Sequence, residues 1–301
     1  DIPDDLAEAY SFLPGQYLTL KTKVHGVEIR RPYSICTSPN EASIGVGIKH
    51  VDGGAFSTHA LESFRVGDRI DVMTPQGSFV FDQNRKANVL EHKEGRHLLL
   101  IAAGSGITPI LSIAKTALSA GGSTDRVTLV YGNRSSASIM FRDVVEDLKD
   151  SYLGRFRLIH VLSREKRDVD LLNGRIDSGK IAALLEVGLI ISAETNAAFL
   201  CGPDKMITDC SMALTSAGMS ADRITHEKFT AAARSCKPPN ISRGKQGSKL
   251  PNNETLCVVD ITIDGITRQF TMDAVSETLL SAGQGAGLEL PFSCEAGMCC
   301  T

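Results

Sequence analysis

A continuous apolar run that ends in a glycine-rich turn constrains the fold of this 301-residue chain more than any other feature. The run is His97-Leu98-Leu99-Leu100-Ile101-Ala102, and the turn that follows is Gly104-Ser105-Gly106. Such a run suits a strand that is buried on both faces of a parallel sheet. A helical stretch from Ile110 to Ala120 comes next, so we predict a strand–turn–helix unit of an α/β domain.

The same alternation of strand and helix extends over residues 95–231, which we predict to form one α/β domain. Alternating elements of this kind predict a parallel sheet with right-handed crossovers. The other predicted strands are Val127–Tyr131, Phe156–Leu162 and Ala197–Cys201, with Arg223–Phe229 as a strand that could close the sheet. The other predicted helices lie near Phe141–Lys149 and from Asp204 to Ala217.

Residues 1–94 have a different pattern, in which short β-rich runs are separated by turn-forming pairs such as Pro14-Gly15 and Gly67-Asp68. Short strands at this spacing predict an antiparallel β barrel. The predicted strands are Gln16–Lys21, Tyr33–Thr37, Ile44–His50 and Arg69–Thr74.

The C-terminal part of the chain predicts a linker followed by a small third domain. Residues 232–252 are rich in Pro, Gly, Ser and Lys, a composition typical of linkers. Within residues 253–301, Leu256–Ile263 and Ile266–Met272 flank an Asp-Gly pair and predict a β hairpin. Ser276–Ala286 predicts a helix with Ser276 as its N-cap.

Charge is distributed unevenly along this C-terminal part. Residues 231–252 contain five basic side chains and no acidic ones, whereas residues 253–301 contain seven acidic side chains and one basic one. The pattern fits a solvated linker that precedes an acidic surface. It fits equally a tether that brings an acidic module onto a basic face of a partner.

The composition as a whole indicates a protein of the cytoplasm. The net charge of −3 gives no indication of nucleic acid as the main partner. The sequence contains no run of 18 apolar residues, so it predicts no membrane helix. Residues 1–5 lack the basic and apolar regions of a signal peptide. Three of the eight cysteines lie in the last eight residues, and such crowding favours metal ligation over disulfide formation.

Two segments of the predicted barrel have the chemistry of a flavin site. In Arg31-Pro32-Tyr33-Ser34, the Arg can hold a pyrophosphate, the Tyr can lie along a flavin, and the Ser hydroxyl can hydrogen-bond flavin N5. In Gly53-Gly54-Ala55-Phe56-Ser57-Thr58, the glycines allow backbone amides to approach a phosphate near the start of a helix. The alternatives are a surface hairpin with a packed Tyr and an ordinary Gly-Gly turn.

Two segments of the predicted parallel sheet have the chemistry of a nucleotide site. Gly104-Ser105-Gly106-Ile107-Thr108-Pro109 connects a strand to a helix, which is where a dinucleotide pyrophosphate would lie. Cys201-Gly202-Pro203 follows the fourth strand at the same edge of the sheet, where ligands of such sheets bind. The alternatives are close packing at the turn and a buried core thiol.

The cysteines near the end of the chain have the spacing of an iron–sulfur site. Cys294 and Cys299 form Cys-x4-Cys, the first half of the plant-type [2Fe–2S] pattern. The next ligand would fall at position 302, one past the last residue, so we expect the polypeptide to be truncated or partly ordered. Cys300 occupies a non-ligand position of the pattern, and zinc is the alternative metal.

Together, the four motifs and the order of the domains resemble the ferredoxin–NADP⁺ reductase superfamily, in the subgroup that carries a C-terminal plant-type ferredoxin domain. Within it, the chain most resembles reductase subunits of phenylacetyl-CoA epoxygenases and related oxygenases. The resemblance implies a flavin-binding antiparallel β barrel, an α/β parallel-sheet nucleotide-binding domain, and a partial α+β β-grasp ferredoxin. The first strand of the family's barrel would precede the chain.

The resemblance also implies the cofactors and the partner. FAD would accept hydride from NADPH, and electrons would pass through a [2Fe–2S] cluster to an oxygenase component. NADH in place of NADPH and FMN in place of FAD are the alternatives. A di-iron phenylacetyl-CoA epoxygenase is the first expected acceptor, and a Rieske-type oxygenase is the second. A non-enzymatic nucleotide-binding or redox-sensing module is the alternative from another class.

Residue roles follow from the resemblance as well. Ser34, Cys201 and Glu227 would lie at the site of hydride transfer. FAD would contact Arg31, Pro32, Tyr33, Ser34, Gly54, Phe56, Ser57 and Thr58, and Ile48 and Lys49 would also belong to the cofactor-binding residues. The nicotinamide nucleotide would contact Gly104, Gly106, Thr108, Pro109, Cys201, Gly202 and Pro203. Ser163-Arg164, helped by Asn133-Arg134, would bind the 2′-phosphate, because two Arg near one ribose suit a phosphate dianion.

Overall fold

A computed structural model of the chain describes residues 1–82, 95–119, 124–229, 256–263, 266–275, 277–288 and 290. These residues fall into two compact units, one within residues 1–231 and one within residues 232–299. Cys294, Cys299 and the predicted linker lie outside the described residues. None of the described helices is long and apolar enough to cross a membrane.

The first unit begins with a small antiparallel sheet. Its strands are β1 (Tyr17–Val24), β2 (Val27–Ser34) and β3 (Asp71–Val72), in the order β2-β1-β3. His25 and Gly26 join β1 to β2 with φ values of 51° and 80°, as a two-residue hairpin turn requires. Helix α1 (Ala55–Ser63) packs beside this sheet through Phe56. The described residues therefore confirm an antiparallel sheet, and closure into a barrel stays a prediction.

Three of the strands predicted in this sheet are wrong in extent, and the one at Arg69–Thr74 is reduced to the two residues of β3. The sequence predicts a strand at Tyr33–Thr37, but β2 starts six residues earlier. Its first residues are largely polar and partly exposed because β2 lies at the edge of the sheet. The predicted strand Ile44–His50 is reduced to a single bridge between Ile35 and Val46. There, the backbone N–H of Gly45 donates to the Thr37 hydroxyl at 3.0 Å.

The predicted parallel sheet is confirmed, with five strands in the order β6-β5-β4-β7-β8. Its strands are β4 (His97–Ala103), β5 (Arg126–Asn133), β6 (Phe156–Leu162), β7 (Ala197–Gly202) and β8 (Ile224–Lys228). The apolar run lies in the central strand β4, and residues 98–102 are at most 1% exposed. The strand order reverses beside β4, and a crevice forms at such a switch point.

Four helices cover the two faces of the parallel sheet. They are α2 (Ile107–Ser119), α3 (Arg142–Ser151), α4 (Ser178–Glu186) and α5 (Asp204–Ser216). Helices α2 and α3 pack on one face, and α4 and α5 pack on the other. Sequence reasoning missed α4, because only two of its side chains, Ile181 and Leu184, are buried. Asp177 starts this helix by accepting a hydrogen bond from the Lys180 backbone N–H at 2.8 Å.

Segments that follow the antiparallel strands pack into the hydrophobic core on one face of the parallel sheet. Phe79 and Phe81, which follow β3, meet the ring of Phe199 on β7 edge-on, with centroid distances of 5.7 and 6.0 Å. The same cluster contains Cys36, which follows β2, and the buried residues of α2. This packing therefore fixes the C-terminal end of β2 relative to the ends of the parallel strands.

The second unit contains the predicted hairpin and helix. Strands β9 (Leu256–Ile263) and β10 (Ile266–Asp273) pair antiparallel, and α6 (Leu279–Gly285) follows. The helix begins at Leu279 because Thr278 and Ser281 form a capping box, so the prediction of Ser276 as its N-cap is wrong. The small apolar core of the second unit comprises Phe270, Met272, Ala282, Leu288 and Leu290.

Candidate active site

The candidate active site is built around a close backbone contact at the carboxyl ends of β4 and β7. Gly104, in the turn after β4, has a φ of 55°, a left-handed conformation that favours glycine. A Cβ atom at Gly106 would lie only 2.2 Å from the carbonyl oxygen of Cys201. Only glycine permits this contact, so the two turns predicted to bind the nucleotide lie side by side.

The three residues predicted to lie at the site of hydride transfer come together in the structure. Ser34 ends β2, while Cys201 and Glu227 lie opposite each other on the neighbouring parallel strands β7 and β8. Ser34 donates a hydrogen bond to the Glu227 carboxylate. The Cys201 sulfur lies 4.0 Å from Oε2 of the same carboxylate. A hydroxyl, a thiol and a carboxyl from two different sheets thus share one location.

Burial determines the protonation states of Glu227 and Cys201. Burial raises the pKa of Glu227 to about 7, although the hydrogen bond from Ser34 opposes the rise. The carboxyl is therefore close to half protonated at neutral pH and can hold or release a proton there. Burial, reinforced by the Glu227 charge, raises the pKa of the Cys201 thiol well above its ordinary value. Cys201 is thus a protonated thiol, and we assign it no nucleophilic role.

The predicted flavin contacts on β2 lie beside this group. The Tyr33 ring packs against Phe56 of α1 at a centroid distance of 5.4 Å, tilted by 43°. Burial raises the pKa of Tyr33 to about 12, partly offset by the nearby Arg31 charge. Arg31 also donates to the backbone carbonyl of Arg30 at 2.7 Å. Arg31, Pro32 and Tyr33 are half-buried, with part of each side chain accessible to a ligand.

The segment after the Gly-Gly pair does begin a helix. Gly54 is the N-cap of α1, and the Thr58 backbone N–H bonds to its carbonyl at 3.0 Å. The Ser57 hydroxyl folds back on the loop: it accepts from the Val51 backbone N–H at 3.1 Å and lies 3.2 Å from the Gly54 carbonyl oxygen. Ser57 thus shapes the loop, while Phe56 anchors it in the core.

The side chain of Lys49 lies beside the glycine turn. The Lys49 ammonium lies 3.4 Å from the position that a Cβ on Gly104 would occupy. Partial desolvation lowers the pKa of Lys49, and the positive charge of Arg134 lowers it further. Ile48, the neighbour of Lys49, is half-buried. A lysine ammonium beside a glycine turn at the start of a helix, with a second cation near it, forms an electrostatic environment that suits a bound phosphate.

The predicted 2′-phosphate residues come together at the ends of β5 and β6. The Ser163 backbone N–H donates to the Asn133 carbonyl at 3.0 Å, and the Arg164 N–H donates to the Arg134 carbonyl at 2.8 Å. The side chains of both arginines are exposed, whereas Asn133 is buried. The exposed guanidinium groups of two arginines therefore flank the same edge of the sheet.

The remaining predicted nucleotide residues shape the turns. Thr108 is buried in the first turn of α2, and its hydroxyl donates to the Ser105 carbonyl at 3.0 Å. Pro109 follows it and is buried. Gly202 lets β7 end against Ala103 and Met206, and Pro203 is the N-cap of α5.

Sequence reasoning missed the polar ties that join α2 to the segment after Ser34. Ser112 donates to the Thr37 carbonyl at 2.6 Å, and the Lys115 ammonium lies 3.1 Å from the Glu41 carboxylate. Thr116 adds a hydrogen bond to the Ser38 hydroxyl at 3.1 Å. The polar residues Ser112, Lys115 and Thr116 within a largely apolar helix were the local sign of these contacts.

No metal site was found among the described residues. Within them, no group of three or more His, Cys, Asp or Glu side chains is arranged to hold a metal ion. The predicted cluster ligands Cys294 and Cys299 lie outside that part of the chain.

The two sheets and the group at their junction define a class, that of NAD(P)H-dependent flavin oxidoreductases. Residues 4–81 match the model of the oxidoreductase FAD-binding domain, and residues 100–212 match that of the oxidoreductase NAD-binding domain. These matches confirm that the chain has one domain for each cofactor.

Comparison with individual proteins gives the family. The chain is 40% identical to a component of the 1,2-phenylacetyl-CoA epoxidase of Escherichia coli K12, over all of this chain and 79% of that protein. It is 30% identical to the ferredoxin reductase component of 3-ketosteroid-9-alpha-monooxygenase from Mycobacterium tuberculosis, over 99% of this chain and 75% of that protein. The protein belongs to this family of ferredoxin reductase-type electron-transfer components, as the sequence motifs predict.

A solved structure confirms the fold. The crystal structure of the Amycolatopsis cytochrome P450 reductase GcoB is similar with a TM-score of 0.60 at 27% identity. The similarity covers 74% of this chain and 62% of that one.

Replacing Glu227 with Gln is expected to change how stability depends on pH. The folded-state pKa of about 7 exceeds the ordinary 4.5, so the unfolded chain loses this proton first as pH rises. The contribution of Glu227 to the free energy of unfolding should therefore fall by about 3 kcal/mol between the two pKa values. Gln stays neutral, so Glu227→Gln should match the wild type near pH 4.5 and exceed it at pH 8.

The measurement is urea unfolding of the FAD-loaded protein at several pH values. Glu186→Gln, at an exposed position at the end of α4, is the control for the loss of a surface carboxylate. Parallel stability curves for Glu227→Gln and the wild type would contradict the raised pKa.

Proposed function

We propose that the protein transfers hydride from NADPH to FAD and passes electrons singly, through a [2Fe–2S] cluster, to the oxygenase component of a phenylacetyl-CoA epoxidase. The observation that supports this most is the convergence of Ser34, Cys201 and Glu227. The first comes from the sheet that matches the FAD-binding model, and the others come from the domain that matches the NAD-binding model. A site that joins the two cofactors is what hydride transfer requires.

The residues of the antiparallel sheet would bind and orient FAD, which, when bound, takes up one hydride and releases its two electrons one at a time. Arg31 and the N-terminus of α1 at Gly54 would face the FAD pyrophosphate, since both favour anions. The half-buried Tyr33 ring would lie along the flavin, with Phe56 behind it. With FAD bound, Ser34 would donate its hydroxyl proton to flavin N5, and its oxygen would accept from the protonated carboxyl of Glu227, which would connect N5 to a proton store.

The residues of the parallel sheet would bind NADPH. The turn from Gly104 to Gly106 and the ammonium of Lys49 would hold the pyrophosphate. Thr108, Pro109 and the Cys201-Gly202-Pro203 turn would enclose the nicotinamide end, where Cys201 offers a neutral thiol. Arg134 and Arg164 would pair with the 2′-phosphate, with Asn133 and Ser163 beneath them, and this pair is our reason for preferring NADPH to NADH.

The C-terminal residues 253–301 would form the ferredoxin-type module, with Cys294 and Cys299 as two of the cluster ligands. The hairpin and the capped helix of the second unit are consistent with a small α+β module. The relative at 40% identity belongs to a phenylacetyl-CoA epoxidase, which supports an epoxidase of that kind as the acceptor. A monooxygenase of ketosteroids, the system to which the relative at 30% identity belongs, is the contrasting candidate.

The direct test is anaerobic titration of the FAD-loaded protein with NADPH, followed by turnover with a partner. We expect the flavin absorption to bleach with one equivalent of NADPH. We also expect NADPH consumption to depend on phenylacetyl-CoA when the oxygenase component of a phenylacetyl-CoA epoxidase is added. A flavin that NADPH leaves oxidised would refute the hydride step. Coupling to the ketosteroid oxygenase alone would replace the proposed acceptor.

Replacing Ser34 with Ala is expected to slow hydride transfer. The variant loses the donor to flavin N5 and the hydrogen bond to Glu227, so flavin reduction should slow by about tenfold while FAD stays bound. Stopped-flow reduction at saturating NADPH measures the rate, and Ser43→Ala at an exposed position serves as the control. An unchanged rate would remove Ser34 from the transfer step.

Replacing Arg164 with Ala is expected to weaken NADPH binding without a comparable effect on NADH. Loss of a charge-assisted contact to the 2′-phosphate should raise the Kd of NADPH by about 10- to 100-fold, whereas NADH lacks that phosphate. Titration of both coenzymes into the FAD-loaded protein measures the ratio. Arg69→Ala, at an exposed position near β3, is the control, and equal losses for both coenzymes would contradict the assigned role.

A further inference from the structure

Tyr131 on β5 places a phenolic hydroxyl in the interior of the nucleotide domain. The side chain is fully buried, with 0% exposure, and it packs against His160 at a ring-centroid distance of 5.9 Å. Sequence reasoning treated this residue only as part of an apolar strand. A buried hydroxyl needs hydrogen-bond partners, so its partners show what it holds in place.

The hydroxyl lies between two backbone carbonyls that are far apart in sequence. Its oxygen is 3.0 Å from the carbonyl oxygen of Gly104 and 3.3 Å from that of Met140. A phenol has a single proton to donate, so the shorter contact to Gly104 is the principal bond. Burial raises the pKa of Tyr131 to about 12, so the hydroxyl stays protonated at physiological pH.

The principal acceptor belongs to the glycine turn. Gly104 has the left-handed φ of 55° and starts the segment that leads to Gly106. Its carbonyl also accepts from the Ile107 backbone N–H. Because a peptide group is planar, fixing this carbonyl fixes the direction of the next amide, at Ser105, in the proposed pyrophosphate site.

The second acceptor belongs to the loop that contacts the antiparallel domain. Met140 precedes Phe141, a non-glycine residue with a φ of 55°. The Phe141 ring and the Thr108 methyl group both lie 2.8 Å from the position that a Cβ on Gly47 would occupy. Tyr131 therefore connects the glycine turn to the loop that packs against the flavin domain.

We propose that Tyr131 is a positioning residue whose hydroxyl orients the Gly104–Gly106 turn for the pyrophosphate of the dinucleotide. This inference rests on the proposed function, because it assumes that the turn binds a nicotinamide dinucleotide. The pyrophosphate is common to NADP⁺ and NAD⁺. Tyr131 therefore contributes to the affinity for both, whereas a residue that acts through the 2′-phosphate alone contributes to one.

The test is Tyr131→Phe in the FAD-loaded full chain, since this change removes the hydroxyl and keeps the ring. Titration with NADP⁺ and with NAD⁺, followed by the flavin difference spectrum, gives the two Kd values. We expect both to rise by a similar factor, about five- to tenfold for the loss of one buried hydrogen bond. FAD content should stay at the wild-type level.

The matched control is Tyr152→Phe, in the same domain. Tyr152 is partly buried and follows α3, where the guanidinium of Arg155 lies 5.1 Å from its ring centroid. This variant loses a phenolic hydroxyl away from the glycine turn, and both Kd values should match the wild type.

Two further readouts separate positioning from a general effect on stability. Hydrogen–deuterium exchange of the nucleotide-free protein should be faster in Tyr131→Phe at residues 104–107, with the core strands unchanged. A lower melting temperature with unchanged Kd values and exchange, or a variant that fails to fold, would overturn the proposal. If neither NADPH nor NADH reduces the wild-type flavin, the proposed function itself fails, so the two failures are distinguishable.

Discussion

The contact between Gly106 and the carbonyl of Cys201 is the constraint on which the site depends. A methyl group at position 106 would overlap that oxygen, so any other residue would force the end of β4 away from the end of β7. Such a displacement would separate the glycine turn from Cys201 and, through strand pairing, from Glu227. Gly106 is therefore required for the close approach of the two backbones. That approach places the side chains of Cys201 and Glu227 near the glycine turn.

Packing between the antiparallel and parallel parts of the first unit sets the position of Ser34 relative to Glu227. Ser34 belongs to a different sheet from Glu227, and the rings of Phe79 and Phe81, which follow β3, pack edge-on against Phe199 of β7. Polar ties such as the one from Ser112 to the Thr37 carbonyl lie only three residues from Ser34. Because close-packed interiors deform little, the site is organised before a ligand binds, which lowers the entropic cost of aligning reactants.

Local patterns were sufficient to predict the parallel sheet but not the side-chain partners within it. The run in β4 and the turn at Gly104 are local features, and both were placed correctly. The edge strand β2 was misplaced because its outer residues face solvent and have no apolar periodicity. The partner of the Tyr131 hydroxyl lies 27 residues away, and no periodicity specifies a contact of that kind. Long-range hydrogen bonds depend on the completed packing.

Strand order separates the two tasks that the proposed function requires. Cys201 and Glu227 lie at the ends of β7 and β8, whereas Arg134 and Arg164 follow β5 and β6 on the other side of β4. From β6 to β8 is four strand spacings, about 19 Å, so a charge at Arg164 acts on Glu227 weakly through screened solvent. Under the proposed function, a change at Arg164 would therefore alter coenzyme preference and leave the protonation of Glu227 unchanged. The glycine turn after β4 lies between Glu227 and the two arginines. Under the proposed function, its orientation therefore affects both hydride transfer and coenzyme binding.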